Sequence, residues 1–142
     1  MLHRTVGSNR YCGPGALAAL TGHDTGETAK VLRTVTGKRA IIGVSAKHFY
    51  WALVRLNPSP VPMVVEAYAH RSLEFIGRQL AAGRYAILLT GHYCALEVHA
   101  DGSVDVCDNM TVYPLPLLKY RRRRKRVVQL WRIYGERHPM ES

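Results

Sequence analysis

Cys12, His92 and Asp108 are the residues of this 142-residue chain whose types and order could build a nucleophile. A thiolate attacks carbonyl carbon, an imidazole carries its proton, and a carboxylate holds the ring in one tautomer. Cys12 stands in Asn9-Arg10-Tyr11-Cys12-Gly13-Pro14-Gly15-Ala16-Leu17, where a helix is expected to begin. A sulfur at a helix N-terminus meets the positive end of the helix dipole and unpaired amide protons, and both favour the thiolate. Gly13 has no side chain to obstruct a substrate approaching the sulfur.

The elements that must position these residues follow from pattern. Pro14 is tolerated in a first helical turn, and Ala16 to Leu20 propagate a helix over 9–21 that Gly22 stops. Asp24 and Glu27 have capping-box spacing, with Ala29, Val31, Leu32 and Val35 forming an apolar face that ends at Gly37. Phe49, Ala52, Leu53 and Leu56 make the stripe of a third helix after Ser45. The run Asn57-Pro58-Ser59-Pro60-Val61-Pro62 suits neither a helix nor a central strand, so 58–62 reads as a stiff connector. Beyond it, strands are expected over 63–67, 85–89, 92–99, 103–108 and 127–134, with a short helix through Leu73, Ile76 and Leu80 closed by Gly83. The expectation is one α+β domain over 1–142, a helical half (1–57) packed on an antiparallel sheet half (63–137).

Register decides which residues the sheet brings together. A two-residue turn at Asp101-Gly102 would pair Val98 with Asp105 and Glu97 with Val106, mixing apolar and charged residues on both faces. A three-residue loop, Ala100-Asp101-Gly102 with Gly102 left-handed, pairs Val98 with Val104 and Leu96 with Val106. A one-residue slip turns every side chain over, so the apolar pattern selects the longer loop. Leu96, Val98, Val104 and Val106 then share one face, and Tyr93, Glu97, His99, Ser103 and Asp105 the other. In that register Asp108 lies opposite Cys94 and diagonal to His92, within side-chain reach. Asn109, the alternative orienter, points to the other side.

Tyr-Cys-Gly-Pro-Gly-Ala-Leu-Ala-Ala-Leu (11–20), Gly-His-Tyr-Cys-Ala-Leu-Glu-Val (91–98) and Val-Asp-Val-Cys-Asp-Asn (104–109) resemble the motifs of papain-like cysteine peptidases. The likeness is to the C39-like group with its small phage and bacterial relatives, and it covers residues 9 to 110. It implies a papain-like fold and a peptidase acting on a protein or peptide through an acyl-enzyme. Cys12 would be the nucleophile, His92 the general base and acid, and Asp108 the orienting carboxylate. The family's oxyanion-hole Gln has no counterpart, since position 6 is Val, and Asn9 is the nearest amide. Asp108 is followed by Asn109 where the family carries Pro. An idle papain-like module that binds a partner, and a thiol-dependent acyl or amide transferase, are the competing readings.

Composition narrows the rest. No apolar stretch approaches the roughly 18–20 residues that cross a bilayer, and the first residues lack a signal-peptide pattern. Three cysteines, Cys12, Cys94 and Cys107, are odd in number and point to a reducing cytoplasm, a host's if the chain is phage-encoded. Cys94, Cys107, His92 and His99 lack a Cys-x-x-Cys pair, so no metal site is read, and no motif calls for a cofactor. Of the net charge of +10, the run Lys119, Arg121, Arg122, Arg123, Arg124, Lys125 and Arg126 supplies +7, leaving +3 for the remainder. Such a block is either a solvated edge or a contact for an anionic partner, a nucleic acid or an acidic protein.

Overall fold

Tyr11 is extended (φ −98°, ψ 136°) and the chain turns helical at Cys12, in a computed structural model that describes residues 2–5, 11–57, 59–62 and 71–134. Helix α1 (Cys12–Thr21) ends where Gly22, at φ 80°, donates its amide to Ala18 O at 2.9 Å. Helix α2 (Thr25–Thr36) is capped by the Asp24 carboxylate, which accepts the Glu27 amide at 2.7 Å. Helix α3 (Ala46–Leu56) starts from Ser45, whose hydroxyl accepts the His48 amide. Helix α4 (Leu73–Gly77) stops well short of Gly83, the end expected from sequence. The amides of Arg78 and Gln79 turn back to Phe75 O and Ile76 O, tightening the chain out of the helix and leaving Leu80 to bury from a turn.

Six strands form one antiparallel sheet among the described residues: β1 (Pro60–Pro62), β2 (Gly83–Leu89), β3 (His92–Val98), β4 (Val104–Cys107), β5 (Leu115–Pro116) and β6 (Val127–Ile133). Their order is β1-β6-β2-β3-β4-β5. The proline run is therefore not a bare connector. Its second half is an edge strand on β6, a position that needs no amides on its outer side. The strand expected over 63–67 lies outside the described residues. Strand β5 and the 3-10 turn after it (Leu117–Lys119) had no sequence signal.

Both faces of the sheet are covered. Leu17, Leu20, Leu32, Phe49 and Leu53 of α1 to α3 pack on Ala86, Tyr93, Ala95, Cys107, Trp131 and Ile133. The rings of Phe49 and Tyr93 stack with centroids 4.0 Å apart. Small Ala86 and Ala95 let α1 lie close to the strands, so the face expected to be polar carries the helices. The opposite face, with Ile87, Cys94, Leu96 and Val106, is closed by α4, Leu117 and Tyr120. The architecture is α+β, and no helix among the described residues is long and apolar enough to cross a membrane.

Candidate active site

The N-terminus of α1 is bare of a capping side chain, because Tyr11 rather than Ser or Asp precedes Cys12. Among the described residues, the N-cap side chain thus takes no first-turn amide where the sulfur sits. The Cys12 thiol is partly exposed, and its pKa is lowered from the ordinary 9.0. Burial opposes the shift, but interaction with the His92 side chain, the Tyr93 backbone and the imidazole charge outweighs it.

His92 is the first residue of β3, immediately after the turn Thr90-Gly91, where Gly91 takes φ 73°. Next to it, the register between β2 and β6 slips between Leu88 and Leu89. The β3–β4 hairpin has the three-residue loop: Val98 faces Val104, Leu96 faces Val106, Ala95 faces Cys107, and Gly102 takes φ 89°. One step past Cys107, Asp108 turns its carboxylate to His92, with Nε2 and Oδ2 2.7 Å apart. That contact leaves Nδ1 as the ring nitrogen for the thiol. His92 is 7 % exposed, and its pKa is raised from 6.5, as Asp108 and Cys12 overcome the opposing effect of burial.

Asp108 is fully buried and held on both oxygens. Oδ1 accepts the amides of Met110 at 2.7 Å and Thr111 at 2.9 Å; Oδ2 accepts the Tyr120 hydroxyl at 2.6 Å as well as facing His92. Against the cost of burial, the His92, Tyr120 and amide hydrogen bonds push its pKa down to about 2. The turn that follows is strained: Tyr113 N–H reaches back to Thr111 O at 2.7 Å around Val112, which sits at φ 64°. A β-branched residue rarely adopts this γ-turn conformation. Thr5 N–H fastens it by donating to Val112 O at 2.7 Å.

The structure thus gathers Cys12, His92 and Asp108 at one end of the sheet. The orienting place beside Nε2 is held by Asp108; Asn109 lies instead against α1. A Cβ built on Gly15 would come within 2.5 Å of Asn109 Cα and 2.6 Å of its amide, so glycine is what lets helix and turn touch. Asn9 lies outside the described residues. Cys94 is fully buried on the α4 face, where burial pushes its thiol far up, and Cys107 is fully buried on the other face, near the Thr5 and Thr111 hydroxyls.

Sequence reasoning missed Tyr120 and the part played by Arg122. Within the basic run, Tyr120 is 2 % exposed and inserted behind Asp108, while Arg122 is half-buried with Nη1 4.0 Å from Asp108 Oδ2. Lys119, Arg121, Arg124, Lys125 and Arg126 are exposed and Arg123 is half-buried. The available signal was the lone aromatic residue in a stretch of charges, the one side chain there with reason to be buried. A groove of about 450 Å³ opens over the sulfur, bounded by Cys12, Gly13, Ile42, His92, Met110 and Arg122. Comparison with protein-family models, with curated proteins and with solved structures finds no match.

Proposed function

We propose that this chain is a cysteine-dependent hydrolase of papain-like fold and chemistry, a peptidase that cleaves a protein or peptide amide bond through an acyl-enzyme on Cys12. The observation that carries the reading is the alignment of a thiol with lowered pKa, an imidazole with raised pKa and a buried carboxylate 2.7 Å from that imidazole. Both shifts act toward transfer of the proton from sulfur to ring, which is what a thiol nucleophile beside its base requires.

In the first half-reaction the Cys12 thiolate adds to the carbonyl carbon, and the carbonyl π electrons move onto oxygen. The Cys12 amide at the uncapped helix start is the available donor to that oxyanion. As the carbonyl re-forms, the C–N bond breaks and the imidazolium of His92 gives its proton to the departing nitrogen. A thioester and a neutral imidazole remain. Water then adds to the thioester carbon, His92 takes its proton, and the C–S bond breaks to release a carboxylic acid and restore the ion pair. Throughout, Asp108 keeps Nε2 engaged and the ring directed at the sulfur.

The test is labelling of the native chain by a neutral alkylating agent at neutral pH, joined to cleavage of a peptide library. Labelling of Cys12 much faster than a free thiol, with cleavage lost in both Cys12→Ala and His92→Ala, is the expected result. Cleavage that survives in either variant rejects the reading. Labelling no faster than a free thiol would leave a binding module, and acyl transfer to an added amine in preference to water would make the chain a transferase.

A further inference from the structure

Arg122 lines the groove over Cys12 and also a second groove of about 380 Å³, which continues past Met110 to Tyr113, Lys119 and Arg121. Among the described residues its guanidinium faces one carboxylate, Asp108, at 4.0 Å, beyond hydrogen-bond reach, and that oxygen is already filled by Tyr120 and His92. Its donors are therefore not spent on Asp108. Among the described residues no acidic side chain lines the first groove, and the one that lines the second, Asp108, is fully buried. A half-buried cation flanked by further arginines gains from an anion that enters beside it.

The segment is also fixed in place. Lys125 N–H donates to Arg122 O at 2.9 Å, while the carbonyls of Arg123 and Lys125 accept the amides of Glu74 and Leu73 at the start of α4. Tyr120, two residues before Arg122, is anchored on Asp108. Arg122 is thus presented by a tight, tethered turn, two residues from the tyrosine that holds the orienting carboxylate.

Resting on the nucleophile reading of Cys12, we propose that Arg122 is a specificity-determining residue that selects peptides with an aspartate or glutamate beside the bond to be cleaved. Lys119 and Arg121 extend the same preference to acidic residues further along. The alternative occupant of so basic a groove, a nucleic acid, is kept as an outcome of the test.

The experiment uses matched peptidyl vinyl sulfones that carry Glu or Gln next to the reactive group, with the rate of Cys12 modification measured by mass spectrometry. One opposed charge in such a groove is worth about tenfold in rate, so the native chain should react about tenfold faster with the Glu probe. The Glu/Gln ratio should fall to about one in Arg122→Gln, persist in Arg122→Lys and in the distant charge control Lys30→Gln, and shrink in high salt. If Arg122→Gln does not fold, the lysine variant and the salt series still decide. A native ratio of one with Cys12 modified by both probes overturns the acidic selection and leaves the nucleophile standing; no modification by either probe overturns the nucleophile itself. A preference that survives in Arg122→Gln also overturns the proposal. So does Arg122-dependent protection of Cys12 by a single-stranded oligonucleotide but not by a Glu-rich peptide.

Discussion

The Tyr120 hydroxyl and the His92 Nε2 share one oxygen of Asp108, at 2.6 and 2.7 Å. The tyrosine therefore controls where the carboxylate can stand, and through it where the imidazole can point. Tyr120→Phe removes a buried hydrogen bond to a charged group, which costs about 1.5–3 kcal/mol of stability. It should lower turnover about tenfold and weaken the hold that keeps the Asp108 pKa down. Thermal melts and a pH–rate profile measured together separate this positioning role from simple loss of stability, because only the former moves the profile.

The pH dependence has a definite sign. Interaction with His92 lowers the Cys12 pKa from the ordinary 9.0, and interaction with Asp108 and Cys12 raises that of His92 from 6.5. Both shifts favour the thiolate–imidazolium pair, whose active window lies between the pair's two macroscopic values. Rate should rise with pH as the thiolate forms and fall as the imidazolium, which must protonate the leaving nitrogen, is lost. Asp108→Asn removes the hydrogen bond and charge that raise the His92 value, so the alkaline limb should move to lower pH. With less imidazolium beside it, the thiolate forms later, and the bell narrows from both sides. Turnover at neutral pH should drop by at least about 100-fold. An unshifted alkaline limb in this variant would show that Asp108 does not act on His92.

Gly15→Ala tests the contact between α1 and the turn after Asp108. Alanine is the better helix former by about 1 kcal/mol, so propensity alone predicts a gain. The methyl group would land on the Asn109 backbone, however, and overpacking of this kind costs about 1–3 kcal/mol. The expected outcome is net destabilisation, with slower alkylation of Cys12 as the turn carrying Asp108 is displaced. Chemical denaturation and labelling rates measure the two effects separately.

Val112→Gly tests the strained turn. Relief of a left-handed conformation at a β-branched residue is worth roughly 1–2 kcal/mol, offset in part by the added freedom of glycine in the unfolded chain. The variant should be as stable as the native chain or slightly more so, and Cys12 should label at the native rate if the strain does nothing for the site. A clear fall in labelling without loss of stability would show that the stiff side chain at 112 helps to fix Asp108.

Much of the scaffold was legible from local rules. Asp24, Ser45 and the glycines at 22 and 37 mark helix ends because caps and left-handed stops depend on neighbours within one turn. The β3–β4 register followed from alternation alone, since only the three-residue loop keeps Leu96, Val98, Val104 and Val106 on one face. That register puts Asp108 on the face of His92 and Asn109 on the other. The proline run misled because its composition shows that a central strand is excluded, yet says nothing of whether an edge is free to receive it.

What tertiary structure alone decided are the contacts between segments far apart along the chain. The partnership of Tyr120 with Asp108 spans 12 residues and ends on a tyrosine set inside a run of charges. The glycine at 15 looks like a weak point in α1 until the turn at 109 is laid against it. The face carrying Tyr93 and Ala95 looks half polar until three helices cover it, and the opposite face is completed by α4 and the 117–120 segment. Caps and alternation are set by backbone geometry within a few residues, whereas these relationships depend on which surfaces exclude water together, and only the folded arrangement of the whole sheet determines that.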